Sequence, residues 1–442
     1  MEMEYWALVM FAVLMALLML GYPVAFTLGA VALGFGAVFL GWGFFDLIPM
    51  RIWGIMTNFT LLAVPLFIFM GLVLEKTGMA ARLIESAAML FGRRRGGLGV
   101  AIILIGTLLA ASTGVVGATV VAMGVIAMPI LLRHRYDPAL ASGVVASAGT
   151  LGQIVPPSVI LILLGDVVGV AVGELFMAAL VPGFLLVGLY LAYVLLVAWL
   201  KPGKAPAVEH DEAGHQVSAR MLLRDMFAPL LLVVAVLGSI FFGVASPTES
   251  AAIGAMGALL LGLISRSLTL NGLREAMQHT VRLTSMVFLV LIGATAFGLV
   301  FRGMGGDMLV EQIMTGLPGG VWGFLLLSML LVFVLGFFLD FLEICFIVVP
   351  ILAPIAVMLG IDPIWFAVLI AVNLQTSFLT PPFGFSLFYL KASAPPELRM
   401  EQIYRGALPF VGLQLLALAI IMAFPQVALW LPELMNRLQG FA

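Results

Sequence analysis

The feature that most constrains this chain is the repeated absence of charge over lengths that match a lipid bilayer. No Asp, Glu, Lys or Arg occurs in Tyr5–Phe45, Ile52–Leu74, Leu98–Leu132, Leu175–Leu200, Gln312–Leu339 or Pro363–Leu390, and the longest of these runs holds 41 residues. A bilayer core needs about 20 apolar residues per helical span, and the chain meets that requirement again and again. Of its 442 residues 63% are hydrophobic and 10% charged, where soluble domains carry about 25% charge. The chain therefore reads as an all-α polytopic membrane protein. A net charge of −2 leaves no basic face for nucleic acid. The lone Cys345 excludes a disulfide frame or an iron–sulfur cluster, and the dispersed His134, His210, His215 and His279 give no zinc site. The acidic start (Met1-Glu-Met-Glu4) is unlike a secretory signal, so the first hydrophobic segment is read as a mature span.

Charge clusters predict about ten transmembrane helices, near 5–22, 24–41, 55–75, 138–165, 175–200, 227–243, 250–264, 284–301, 363–390 and 406–432. Residues 98–132 and 321–359 are too long for one span, about 50 Å as helix. Each is interrupted midway, at Ser112-Thr-Gly-Val-Val-Gly117 and at Gly336-Phe-Phe-Leu-Asp340. A helix, a polar turn and a second helix make a re-entrant hairpin. With the N-terminus outside and both segments re-entrant, all basic residues except Arg51, Arg302 and Arg437 fall on the cytoplasmic side. Both termini are then periplasmic. Segments 78–92 and 306–317 read as amphipathic surface helices.

The stretch 201–226 reads as a cytoplasmic linker between two halves, 1–200 and 227–442, and the halves repeat. Pro156-Pro157 stands 225 residues before Pro381-Pro382, and Asp137-Pro138 stands as far before Asp362-Pro363. The first half starts outside and the second inside, so the repeats are inverted. Inverted repeats with discontinuous helices place binding sites at the repeat interface near the midplane.

The chemistry concentrates at two helix breaks, Ala148-Gly-Thr-Leu-Gly-Gln-Ile-Val-Pro-Pro-Ser158 and Asn373-Leu-Gln-Thr-Ser-Phe-Leu-Thr-Pro-Pro-Phe-Gly384. Proline removes an N–H and disfavours helix at the residue before it, so each helix is expected to unwind just before its Pro-Pro pair. Carbonyls freed there need water, substrate or a cation, although a plain kink covered by Ser and Thr is the bland alternative. Neutral oxygens suit a weakly held monovalent cation, and converging half-helix N-termini favour an anionic substrate. Asp340, at the second hairpin tip, is an ion ligand or coupling acid, or else a helix N-cap. Glu343 lies one turn further on. Asp137 and Asp362, each before Pro at a helix start, read as N-caps, and Glu249 as a cap more than a substrate contact.

Gly152-Gln-Ile-Val-Pro-Pro-Ser158, Gly336-Phe-Phe-Leu-Asp340, Thr380-Pro-Pro-Phe-Gly384 with Asn373 upstream, and Ser246-Pro-Thr-Glu249 resemble the large membrane (M) subunit of tripartite ATP-independent periplasmic (TRAP) transporters. The variant Phe337-Phe338-Leu-Asp340-Phe-Leu-Glu343 looks more like the branch labelled for 2-oxo acids, mannitol or chloroaromatics than the C4-dicarboxylate branch. The resemblance, from about residue 5 to 430, implies a Na⁺-driven elevator permease in the inner (cytoplasmic) membrane that takes up a small organic acid anion. It implies two partners, a small four-helix membrane subunit of the Q type and a periplasmic substrate-binding protein, and no organic cofactor. It places a first Na⁺ site at Ser112, Thr113, Gly114, Gly117, Gly149 and Gly152, and a second at Gly336, Asp340, Asn373, Thr376 and Thr380. Gln153, Pro156, Ser158, Gln375, Ser377 and Pro381, with Glu343, are the candidate substrate contacts. The alternative is a self-sufficient ion or carboxylate transporter of related inverted-repeat architecture that works without a binding protein. An enzyme is not expected, because no nucleophile–base pair, metal cluster or P-loop is visible.

Overall fold

The computed structural model describes residues 3–78, 82–84, 86–87, 91, 94–207 and 219–438, and the side chains of Ser112 and of residues 219–226 lie outside that description. Eight of the fifteen residues of the expected surface helix 78–92 and eleven of the 26 in the linker 201–226 fall outside the described residues. All regular structure among the described residues is helical.

The chain opens with α1 (Met3–Met19) and α2 (Val24–Phe39), continues through a 3₁₀ turn (Trp42–Leu47) into α3 (Ile48–Met56), and reaches α4 (Ala63–Lys76). Segments Trp42–Met56 and Thr60–Lys76 meet at a 57° bend, so the span expected at 55–75 is one limb of a bent arm. Asn58 sits in that bend. Its side chain accepts from Thr60 N at 2.9 Å and donates to Asp166 at 2.6 Å.

The first long segment forms α5 (Gly97–Thr113) and α6 (Val116–Arg133), which pack on each other and on α7 (Pro138–Thr150). The reversal uses Gly114, whose φ of 62° is left-handed. This gives the helix, turn and second helix expected of residues 98–132. After the first break come α8 (Val159–Val168) and α9 (Val172–Leu200). The chain leaving α9 folds back across the start of this unit. Gly96 N donates to Ala205 O and Asp137 N to Lys204 O, while Lys204 pairs with Asp137 at 3.3 Å.

The second half holds α10 (Ala219–Phe241), α11 (Pro247–Ile264), α12 (Leu270–Gly303) and α13 (Gly306–Thr315). Its hairpin is α14 (Val321–Leu335) and α15 (Phe341–Met358), with a π-helical turn at Ile344–Val348. Then follow α16 (Pro363–Leu379), α17 (Phe385–Ser393), α18 (Met400–Ala423) and α19 (Gln426–Leu438). The single span expected at 406–432 is thus two helices, because Pro425 cannot continue the first. The span expected at 284–301 is the latter half of a 34-residue helix that begins outside the apolar run.

Several apolar helices reach membrane-crossing length. They are Val116–Arg133, Val172–Leu200, Pro247–Ile264, Leu270–Gly303, Phe341–Met358 and Met400–Ala423, with the bent arm as a seventh span. Of the other expected spans, α1, α2 and α10 have apolar stretches of 10–17 residues, and those at 138–165 and 363–390 are helices in two pieces.

Local chemistry sets the helix ends. Asp137 accepts from Leu140 N, and Asp362 from Ile364 N and Trp365 N, with proline at the first helical position of each. Ser246 and Glu249 form a reciprocal capping box on α11, as expected for Glu249. The ion pairs of the described residues, Lys76–Glu275, Lys204–Asp137 and Arg405–Glu401, are all partly exposed and contribute little. Packing holds the fold instead. One group joins α2, α4, α11 and α12; another joins both hairpins to α7, α16, α17 and α18. Its closest crossing is α7 against α18, where a Cβ on Gly143 would strike the Gly406 carbonyl and a Cβ on Gly406 the Ala139 carbonyl.

Candidate functional site

Each hairpin tip meets the helix break of its own half. At the first, a Cβ on Gly114 would lie 3.3 Å from Val159 N and 3.5 Å from Pro157 O, so the tip rests on the start of α8. Two glycines of the break admit the hairpin arms. A Cβ on Gly149 would collide with Val120, and one on Gly152 would stand 2.9 Å from Ala110 O. Thr113 and Thr119 join hydroxyls at 2.6 Å across the tip. Thr113, Gly114, Gly149 and Gly152 are therefore brought together. Ser112 lies in the last turn of α5, its side chain outside the described residues, and Gly117 faces elsewhere, against the ring of Tyr389.

At the second tip, a Cβ on Gly336 would collide with the Ser377 hydroxyl, and the Phe338 ring packs at a tilt against Phe383 with centroids 5.5 Å apart. Asp340 is the N-cap of the returning arm, its Oδ1 accepting from Phe341 N at 2.7 Å. The cap occupies one carboxylate oxygen; the other has no hydrogen-bond partner among the described residues. Glu343 is buried, and its Oε2 is without a partner among the described residues. Asn373, one turn before Ser377, donates to Met329 O at 2.6 Å, which fixes its amide against α14. Thr376 donates to Val372 O, Thr380 to Thr376 O and Ser377 to Leu374 O.

The helices unwind where expected, before the prolines, the first passing through a 3₁₀ turn at Leu151–Gln153. They continue to Thr150 and to Leu379, so Gly149 and Asn373 through Ser377 are helical. The physical reason is that Pro381 restricts the residue before it and removes one hydrogen bond, leaving earlier residues free to stay helical. Both Pro156-Pro157 and Pro381-Pro382 are cis. Some carbonyls at the breaks are already satisfied: Ser158 donates to Gln153 O at 3.0 Å, and Ser386 to Phe378 O at 2.6 Å. Ser158 is fully buried in that role. Gln153 is also fully buried, yet neither atom of its amide has a partner.

Gln375 lies deep between the halves. Its Nε2 stands 3.4 Å from Thr150 Oγ1 and 3.4 Å from the Tyr190 hydroxyl, and its Oε1 has no partner. Gln375 and Thr150 are 225 residues apart, the offset that relates the two Pro-Pro pairs. A contact between equivalent positions belongs on a two-fold axis. Tyr190, Gln414 and Tyr389 were not singled out from the sequence. A glutamine inside the charge-free segment of α18 was the available signal for Gln414. Tyr190 and Tyr389 carried none, since aromatic residues in membrane helices are ordinary. No cluster of three or more His, Cys, Asp or Glu that could hold a metal occurs among the described residues.

A family profile described as "Tripartite ATP-independent periplasmic transporter, DctM component" matches residues 11–427. The chain is 33% identical over 422 residues to the sialic acid TRAP transporter large permease protein SiaM of Vibrio cholerae, covering 95% of this chain and 97% of that one. It is 34% identical over 380 residues to the C4-dicarboxylate TRAP transporter large permease protein DctM of Pseudomonas aeruginosa, covering 85% and 87%. The solved structure of the YdaH transporter of Alcanivorax borkumensis, described as having an unusual topology, matches with a TM-score of 0.61 at 16% identity, covering 95% and 98%. At that identity the likeness speaks for the fold alone.

Proposed function

Because this chain belongs to the tripartite ATP-independent periplasmic transporter family as a large permease subunit, and is not an enzyme, we propose that it takes up a small organic acid anion across the inner membrane, driven by Na⁺. The observation that carries this reading is the pairing of each hairpin tip with a Pro-Pro break. Neither place offers a basic side chain: residues 112–117, 149–158, 336–343 and 373–384 contain no Lys, Arg or His. An anion held there relies on the half-helix N-termini at Val116, Val159, Phe341 and Phe385 and on cations bound beside it. Asp340 supplies the charge a cation needs at the second tip. Thr113, backbone carbonyls and the glycine-lined approach of α5 to the first break supply neutral oxygens at the first.

Two halves related by an inverted repeat, moving as an elevator, give both faces of the membrane access to one site. The contact between Thr150 and Gln375 at the repeat offset supports the two-fold relation. Both termini are periplasmic in this reading. Single cysteines placed near Arg95 and near Arg133, on a Cys345-free background, should both label from the cytoplasm. Labelling from opposite faces would turn α5–α6 into a crossing and remove the repeat.

The chain works with a small four-helix membrane subunit and a periplasmic binding protein that captures the anion, as the family's tripartite description supports. Named relatives act on sialic acid and C4-dicarboxylates, which supports a carboxylate substrate. The test is uptake in proteoliposomes under an inward Na⁺ gradient. Uptake is expected with all three components and is negligible with this chain alone; robust uptake by the chain alone would favour the self-sufficient transporter.

A further inference from the structure

The two hairpins are joined by a short rod that neither Na⁺ site includes. Helix α17 has nine residues, Phe385–Ser393, and begins directly after the second break. Its first turn is locked to the end of α16, because Ser386 Oγ donates to Phe378 O at 2.6 Å. Gly384 closes that turn so tightly that a Cβ there would sit 3.0 Å from Thr380 N and against the Phe378 carbonyl. On this side the second hairpin is in direct contact, through Phe338 on Phe383 at 5.5 Å.

The body of the rod lies on the other hairpin. A Cβ on Gly117 would stand 3.3 Å and 3.4 Å from the Cε2 and Cζ atoms of Tyr389, so the ring rests on the first turn of α6. Two turns on, a Cβ on Gly124 would collide with the Ser393 hydroxyl and approach Leu390 at 3.3 Å. Gly117 is three residues past the left-handed Gly114 that forms the first tip. A shift of that tip therefore reaches Tyr389 directly.

We propose that Tyr389 is a positioning residue that couples the two hairpins, so that an ion bound at one tip favours binding at the other. The inference rests on the reading that each tip holds one Na⁺. A rigid ring with two torsions is suited to pass a tip displacement into α17, and α17 cannot move without moving Phe383 and the second break. Such coupling is reciprocal by linkage, whichever site fills first. It makes the pair of sites respond more steeply to Na⁺ than two independent sites would.

The experiment is a Na⁺ titration read in two ways: by equilibrium Na⁺ binding to the purified permease with its small subunit, and by uptake in proteoliposomes with the binding protein. The unaltered protein should give a sigmoidal dependence with a Hill coefficient above 1. In the binding readout Tyr389→Ala should lower the Hill coefficient to 1, and in uptake, which needs both ions and stays sigmoidal for independent sites, it should lower the Hill coefficient below that of the unaltered protein; Tyr389→Leu, which keeps apolar bulk and protects the fold, should do the same. Tyr389→Phe keeps the ring on Gly117 and should stay sigmoidal. Phe388→Ala, one position along and exposed, is the control and should also stay sigmoidal. Sigmoidal curves unchanged in Tyr389→Ala and Tyr389→Leu would overturn the coupling alone. A hyperbolic binding curve for the unaltered protein would also overturn the coupling, and a hyperbolic uptake curve would sink the two-site reading with it.

Discussion

Asp340→Asn is expected to weaken the apparent Na⁺ affinity of uptake by at least about tenfold, the equivalent of about 1.4 kcal/mol, while expression and assembly with the small subunit stay normal. The substitution is selective because of the geometry. Asp340 caps the returning arm through one oxygen, which accepts from Phe341 N at 2.7 Å, and asparagine caps a helix as well as aspartate does. What the variant loses is the formal charge on the other oxygen. The other groups assigned to the second site, Gly336, Asn373, Thr376 and Thr380, are neutral, and a carboxylate inside a membrane protein is retained only where it has work to do. Asp362→Asn is the matched control: its carboxylate also caps a helix, through Ile364 N and Trp365 N, and its Na⁺ dependence should not move. The measurement is initial uptake against Na⁺ concentration in proteoliposomes. An unchanged curve for Asp340→Asn would leave the residue a cap and nothing more, with the second site built from neutral oxygens.

Gly406→Ala should be severely destabilising, by about 3 kcal/mol or more, at the high end of overpacking costs. Here the obstacle is backbone. The added methyl would run into the Ala139 carbonyl and stand 2.7 Å from the Ser142 hydroxyl, which itself leans toward Gln402 O at 3.3 Å. Neither helix has a flexible side chain to move aside, so α7 and α18 must separate. Membrane helices gain no hydrophobic drive from each other, and close backbone contact at small residues is what holds such a crossing. Gly143→Ala meets the mirror obstacle, the Gly406 carbonyl, with Phe410 Cε2 at 2.7 Å. Gly412→Ala on the same helix has nothing within 4 Å and should be neutral or slightly stabilising. Thermal midpoints in detergent should rank these variants with Gly412→Ala at or above the unaltered protein and Gly406→Ala lowest. Equal midpoints for Gly406→Ala and Gly412→Ala would mean that the crossing is looser than described.

The packing of α7 against α18 also sets where the site lies. It fixes the first broken helix against the second half, and the same helices carry Thr150 and Gln414 into the buried polar contact around Gln375 and Tyr190. A glutamine with an unpartnered Oε1 there costs about 1–3 kcal/mol if left dry. It is fully buried, as Thr376 and Ser377 beside it are, whereas Asp340 and Thr380 are partly exposed.

The parts legible in the sequence are those set by short-range physics. A run without charge commits a segment to an apolar surrounding wherever it packs, and a Pro-Pro pair ends a helix whatever its neighbours are. Asp before Pro caps a helix with its own backbone, as Asp137 and Asp362 do. Hence the helical fold, both hairpins, both breaks and the caps could be read residue by residue. Even there, the bend at Asn58 and the stop at Pro425 were absorbed into longer apolar runs, because hydropathy registers composition and not direction. Only the tertiary structure decided which groups meet. Ser158 and Ser386 turn out to cover carbonyls at the breaks, Gly117 faces Tyr389 across 272 positions of chain, and Gln375 finds Thr150 at the repeat offset. Those contacts depend on how closely helices distant in sequence approach, and that approach is set by glycines whose significance is invisible until the opposing backbone is in place.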